Sequence, residues 1–278
     1  MEEGEAQLVW AIARHDHEAV ELYCASAPPS AMALGLALAS SETADLPGST
    51  MRILLSMLRA GAPVNARCTP QFYPIHVALQ QSTLVIERIS ALLKYGCVLD
   101  VCDPAGQTPL HMASAKGDIR TVLLLLDYGA VVNAVDLRGR SSLCLALQRK
   151  HDALTVAGLL IDAGADVDRG NCLSSAVRRC GLLSDWSALR ALGFLLGHGA
   201  SPAARNSQGL AVWDSLLDTP LAGPRFSAIT QALVDAGMGV HAPPSVMAAL
   251  QTRMAEDATF GALDPNAQMW LPRTKKVP

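Results

Sequence analysis

His111 stands in the run Thr108-Pro109-Leu110-His111, where an imidazole beside a hydroxyl has the makings of a general base. A base of that kind needs an orienting acid, and a metal needs three or four ligands of suitable type. Cysteines and histidines that pair by spacing are few. Cys97 and Cys102 are five apart, Cys172 and Cys180 eight apart, and His15 and His17 two apart, so the two histidines leave a helix on different faces. None of these is a Cys-x-x-Cys spacing. No Gly-x-Ser-x-Gly, Gly-Lys-Ser/Thr or Gly-x-Gly-x-x-Gly run occurs either. The carboxylates fall on turns and helix starts, where capping accounts for them. The expectation is therefore no catalytic residue, no metal site and no cofactor.

The elements that carry these residues are built from small aliphatic side chains. Of 278 residues, 50% are hydrophobic, only 17% charged and 4% aromatic, against about a quarter charged in an ordinary soluble protein. Leu, Ala, Val and Met must fill the core, as closely stacked helices require. A net charge of −3 gives no global attraction for nucleic acid or an anionic membrane. The longest apolar run, AMALGLALA (31–39), is nine residues long, about half of the roughly 20 that a bilayer needs. The acidic start MEEGEA does not read as a leader. Seven cysteines without close pairs suit reduced thiols in the cytoplasm, with the nucleus or a cytoskeletal assembly left open.

A glycine recurs after a Leu-rich stretch at 61, 96, 129, 164, 199 and 237, with spacings of 35, 33, 35, 35 and 38. One structural unit is being stacked. Each glycine can take the left-handed conformation that stops a helix. A turn such as Asp103-Pro-Ala-Gly106 follows, then Thr108 as a cap and Pro109 as the first helical residue. The unit is turn, short helix, loop, longer helix, and its register puts Leu110 and Leu124 in the shared core.

Residues 103–135 resemble an ankyrin repeat closely, with TPLHMA, Gly117-Asp118, a Leu-rich second helix and Gly129-Ala130. Weaker versions are YPIHVA in 68–102, RSSLCLA in 136–169, NCLSSA in 171–199 and Asn206-Ser-Gln-Gly209 with VWDSLL in 206–237. LVWAIARHDHEAVELY (8–23), an irregular unit over 31–61 and PPSVMAALQTRM (243–254) complete about eight units. The resemblance implies an all-α, ankyrin-type repeat solenoid over 1–255 with an irregular tail over 256–278. It also implies that His111 and His76 hydrogen-bond within and between units, and the presence of Cys144 and Trp213 in their place in later units speaks against a catalytic role. The unit at 171–199 lacks about five residues of turn. A notch is expected between Asp168 and Asn171, with CGLLSDWS (180–187) lengthening the next loop and Trp186 at a helix start.

In such a unit the turn tips and first-helix ends line the concave face. Mapped this way, Lys116, Arg138, Arg140, Arg149, Lys150, Arg178 and Arg179 form a basic stripe, and Trp270 in the tail is a candidate anchor. Arg outnumbers Lys 17 to 5, a bias suited to interfaces. The resemblance implies a non-enzymatic module, adaptor or stable subunit, that binds another protein through the groove and turn tips. An acidic or phosphorylated segment is the expected ligand. Nucleic acid is not, because the stripe has no aromatics to stack bases, and neither a small-molecule substrate nor a membrane span is expected. Two other readings stay open: an effector that uses the repeats to grip a target, and, more remotely, an enzyme with its site in 24–50 or 180–188.

Overall fold

The computed structural model describes residues 3–40, 48–81, 85–149, 153–182, 187–205, 209–218 and 224–258. The chain divides into two compact units, Met1–Val131 and Val132–Pro278. Both are helical, and the one β-bridge among the described residues joins Val135 to Ser141.

The first unit is four helix pairs: α1 (Glu3–Ala13) with α2 (His17–Ser26), α3 (Ala31–Ala39) with α4 (Ser49–Arg59), α5 (Pro74–Gln80) with α6 (Val85–Lys94), and α7 (Pro109–Lys116) with α8 (Ile119–Asp127). The leading helices α1, α3, α5 and α7 pack each on the next, and α2, α4, α6 and α8 form a second layer. Close stacking explains the composition. Helix α3 buries Ala33, Leu34, Gly35, Ala37 and Leu38, and a Cβ on Gly35 would lie 2.6 Å from that of Cys68. Only glycine fits there.

The second unit repeats the pattern with α9 (Ser142–Leu147) and α10 (Ala153–Asp162), α11 (Cys172–Leu182) and α12 (Ser187–Gly197), and α13 (Val212–Asp218) and α14 (Pro224–Leu233). A π-type turn (Val234–Met238) and the short α15 (Gly239–His241) lead into α16 (Pro244–Ala258), which packs on α14. Helix α16 runs three residues past the expected repeat boundary at 255. The rest of the tail, including Trp270, lies outside the described residues, as do Lys150 and Trp186.

The starts and stops follow local chemistry. Gly61, Gly96, Gly129, Gly164 and Gly199 all have φ between +78° and +88°, so each ends its helix in the left-handed region. At α7 the cap is reciprocal: the Thr108 hydroxyl accepts from the His111 amide at 3.5 Å, and His111 Nδ1 accepts from the Thr108 amide at 3.2 Å. His111 is fully buried and sets where α7 begins. In α8 the expected register is off by one. Leu110 is buried, but Leu124 is half-buried while Val122 and Leu125 fill the core. A run of four leucines (123–126) has no polar residue to mark its phase.

The linkers 60–73, 95–108, 128–141 and 198–211 are each fourteen residues, whereas 163–171 is nine. The short linker is a tight turn over 167–170 that enters α11 directly. Gly170 (φ +85°) lies so near Ser141 that a Cβ would sit 2.3 Å from its amide nitrogen.

Candidate protein-binding surface

Two linkers carry an Asp-x-x-Gly turn. In the first unit Asp103 Oδ1 accepts the Ala105 and Gln107 amides, both at 2.8 Å, and Gly106 takes φ +76°. In the second, Asp136 Oδ1 accepts the Arg138 and Arg140 amides at 2.9 and 2.8 Å, and Gly139 takes φ +70°. Each carboxylate thus does the work of a local turn clamp. At the second turn the Arg140 side chain adds to it, donating from Nε and Nη2 to Asp136 Oδ2 at 2.9 and 2.6 Å. Burial alone would raise the Asp136 carboxyl. The hydrogen bonds and charge of Arg140 override it and hold Asp136 below its usual value. The result is a stiff tip on which Leu137 stands 80% exposed beside exposed Arg138.

The six described basic positions separate into different roles, Lys150 lying outside the described residues. Lys116, at the end of α7, donates to the carbonyls of Leu79 and Gln81 at the end of α5. Arg179 of α11 donates to Leu147 at the end of α9 and lies 3.5 Å from the Ser187 hydroxyl. Arg140 closes on Asp136, and half-buried Arg149 lies just past α9. Arg138 and Arg178 are exposed, and among the described residues neither side chain has a hydrogen-bond or ion-pair partner. The charge of Lys116 and Arg179 stays in place, but their donors serve the ends of neighbouring helices.

Two residues that the sequence reading passed over belong to the same system. Arg88 of α6, fully buried, donates to the carbonyls of Leu38 and Ser40 at 2.8 and 2.6 Å. Arg253 of α16 donates to Leu217 at 3.2 Å and lies 4.4 Å from the Phe226 ring centre. Helices α3, α5, α9 and α13 therefore each have the carbonyl of their Leu38, Leu79, Leu147 or Leu217 met by a cation from a later helix. Helix C-termini leave carbonyls without intrahelical donors and carry partial negative charge, so a cation there is favourable. Helix α7 instead ends on its own Gly117 at φ +71°.

A second ladder ties the linkers. Asn65 donates to the Gly96 carbonyl and accepts the Val98 amide, both at 2.9 Å. Asn133 makes the same pair with Gly164 (2.9 Å) and Asp166 (2.8 Å), and Asp168 accepts the Ser201 amide at 2.7 Å. The signal was present as an asparagine or aspartate four residues after Gly61, Gly96, Gly129 and Gly164. His76 reaches across in the same way, with Nε2 3.2 Å from the Gln107 carbonyl.

Among the described residues no three His, Cys, Asp or Glu side chains are grouped to hold a metal, and no helix is long and apolar enough to cross a membrane. The arrangement displays side chains on a rigid frame.

The comparisons agree with that frame. A family model of ankyrin repeats, three copies, matches residues 36–136 and again 75–171. NF-kappa-B inhibitor alpha of Sus scrofa is 33% identical over 125 residues, 43% of this chain and 38% of that protein. Rabankyrin-5 of Mus musculus is 45% identical over 49 residues, 18% of this chain and 4% of that protein. The ARF GTPase-activating protein Git of Drosophila melanogaster is 47% identical over 60 residues, 22% of this chain and 8% of that protein. The chain matches well under half the length of each of these relatives. Residues 36–171 are ankyrin repeats, which are modules for protein–protein interaction and are generally not enzymes.

Proposed function

We propose that this chain is a non-enzymatic binding module, adaptor or fixed subunit, that holds another protein against the turn at 135–141 and the exposed side of α11. The observation that carries this reading is the tip clamped by Asp136, which presents Leu137 and Arg138 with little conformational freedom left to lose. A contact that is ordered before binding keeps more of its interaction energy as affinity. Arg138 and Arg178 supply positive charge with open donors, so the partner segment is acidic or phosphorylated and surrounds an apolar side chain. Arg140, Arg149 and Arg179 add to the positive charge of the same unit. Lys150 and Trp270 keep their proposed contact roles from sequence. A cytoplasmic location accords with the free thiols of all seven cysteines.

The test is capture from the cells that express the protein, with the full chain as bait and a second bait carrying Leu137→Asp and Arg138→Glu. The reading expects at least one abundant protein to be retained by the parent and lost by the variant. Identical captured sets would overturn it.

A further inference from the structure

Helices α1 and α2 of the first unit leave two large apolar side chains in water. Helix α1 packs on α2 and α3, and α2 on α1 and α4. Leu8, Ala11 and Ile12 of α1 and Val20 of α2 are buried in those contacts. Trp10 and Leu22 lie two positions on from Leu8 and Val20, about half a turn round each helix. They stand 59% and 77% exposed. An exposed indole is the kind of anchor around which interfaces form.

The turn between the helices shapes the surroundings of Trp10. It reads Arg14-His15-Asp16, where α7 and α8 are joined by Lys116-Gly117-Asp118. The two aspartates do the same work, Asp16 accepting the Ala19 amide at 3.1 Å and Asp118 the Thr121 amide at 3.2 Å. The other positions differ. His15 takes φ +57° where Gly117 takes +71°, and its Nδ1 lies 3.4 Å from the Ser49 hydroxyl. Lys116 turns back to the end of α5, whereas the Arg14 guanidinium lies 4.4 Å from the Trp10 ring centre. Trp10, Arg14, His15, Asp16, His17 and Glu18 together line an open hollow of about 460 Å³, enough for several side chains of a docked segment. Glu18 and Leu22 are four apart, so one face of α2 runs from the hollow to Leu22.

Charge selects what fits this surface. Residues 3–26 include Glu3, Glu5, Asp16, Glu18 and Glu21, against Arg14 alone among lysines and arginines. Asp16, Glu18 and Glu21 are exposed. Asp16 caps α2, and Glu21 accepts from the Ser56 hydroxyl at 3.2 Å. Glu18 has no hydrogen-bond or ion-pair partner among the described residues. An acidic segment is repelled by such a surface. A basic one lays its aliphatic stems on the apolar groups and its charged heads against the carboxylates.

We propose that α1 and α2 form a second docking surface, for a basic amphipathic segment of a partner protein. Its apolar residues cover Trp10 and Leu22, and its lysines or arginines meet Glu18 and Glu21. This surface is separate from the turn at 135–141, which takes a segment of the opposite charge.

The experiment uses the full chain and, as probe, a labelled amphipathic peptide of leucine and lysine. The controls are the same peptide with glutamate for lysine, and with serine for leucine. The proposal expects the leucine–lysine peptide to bind at least about tenfold more tightly than either control. Its binding should weaken as salt rises, and it should slow hydrogen exchange in α1 and α2. Trp10→Ala with Leu22→Ala should lower the affinity about tenfold or more. Glu18→Gln with Glu21→Gln should flatten the salt dependence. All four side chains are exposed, and the exchange map of the parent stands alone if a variant does not fold. The proposal is overturned if the leucine–lysine peptide does not bind, if the glutamate form binds as well, or if protection falls outside α1 and α2. It is also overturned if the parent is a dimer that Trp10→Ala makes monomeric, since the occupant is then a second copy.

Discussion

Arg179 Nη1 donates to the carbonyl of Leu147, the last residue of α9, thirty-two positions earlier in the chain. Its neighbour Arg178 points to solvent. A single position along α11 thus separates a cation that holds two repeats together from one open to a partner. Hydrogen bonds to charged groups contribute about 1.5–3 kcal/mol when buried, and partial exposure places this one at the low end. Arg179→Ala is expected to cost about 1–2 kcal/mol in urea unfolding of the full chain, with Arg179→Lys costing less. Arg178→Ala should stay within about 0.5 kcal/mol of the parent. Equal effects from the two would contradict the division of roles.

The Asp136–Arg140 pair gives a pH signature. Its carboxyl is held below the ordinary value in the folded state, so the pair contributes stability that is present above the unfolded carboxyl pKa. That stability is lost as pH falls through the lower folded value. Breaking a buried pair costs roughly 3–5 kcal/mol. With the Arg140 side chain 22% exposed, Asp136→Asn should cost about 2–3 kcal/mol at neutral pH, by the same reasoning. The variant should lose stability less steeply than the parent below about pH 4. Parallel stability curves for the two would mean that the turn does not depend on this carboxylate.

Tyr73 occupies the capping position of α5 without making a side-chain cap, and His76 Nδ1 is buried with no hydrogen-bond partner among the described residues. At α7 the same position is Thr108, and His111 Nδ1 lies 2.8 Å from its hydroxyl. Tyr73 also lies under Arg67, 4.9 Å from its ring centre, so the comparison is made in an Arg67→Ala background. There Tyr73→Thr should raise stability by about 1 kcal/mol. Burial lowers the His76 pKa, ahead of the opposing pull of its Gln107 bond. Its contribution is therefore present above the unfolded histidine value, near 6.5, and is lost as pH falls through the folded one. His76→Gln should remove that acid-side loss from stability measured between about pH 5 and 7.

The repeat period and helix order were legible because each stop glycine and each following turn has a local chemical reason. The shortened turn before Asn171 was legible for the same reason, as a gap in a regular count. The basic stripe was only half legible. Residue type and repeat position put Lys116, Arg178 and Arg179 at the ends of leading helices. That holds for Lys116, whereas α11 runs on past Arg178 and Arg179 to Leu182. Nor do they show which cation bends back to a carbonyl thirty or more residues away. Asp136 was missed as the partner of Arg140 because a turn aspartate already has a local role, and its second oxygen is satisfied only once the hairpin closes. Leu124 and Leu125 differ only in helical phase, and a leucine run hides that.

Gly164 and Gly170 separate two costs. Both have positive φ, but a Cβ on Gly164 meets nothing within 4 Å, while one on Gly170 would strike Ser141. Gly164→Ala should cost about 1–2 kcal/mol for the left-handed backbone. Gly170→Ala should cost more, since the cap of α9 must also move. Thermal unfolding of the two variants decides it, and an equal loss would show that the short turn is not packed against Ser141.

The central claim is that a partner protein sits on the turn at 135–141 and on α11. Hydrogen exchange of the full chain, alone and saturated with the protein captured by it, tests this most directly. The account predicts slower exchange at Leu137, Arg138 and the peptide spanning Arg178 in the complex. Protection confined to the first unit, with 135–141 and 172–182 exchanging as in the free chain, would contradict it.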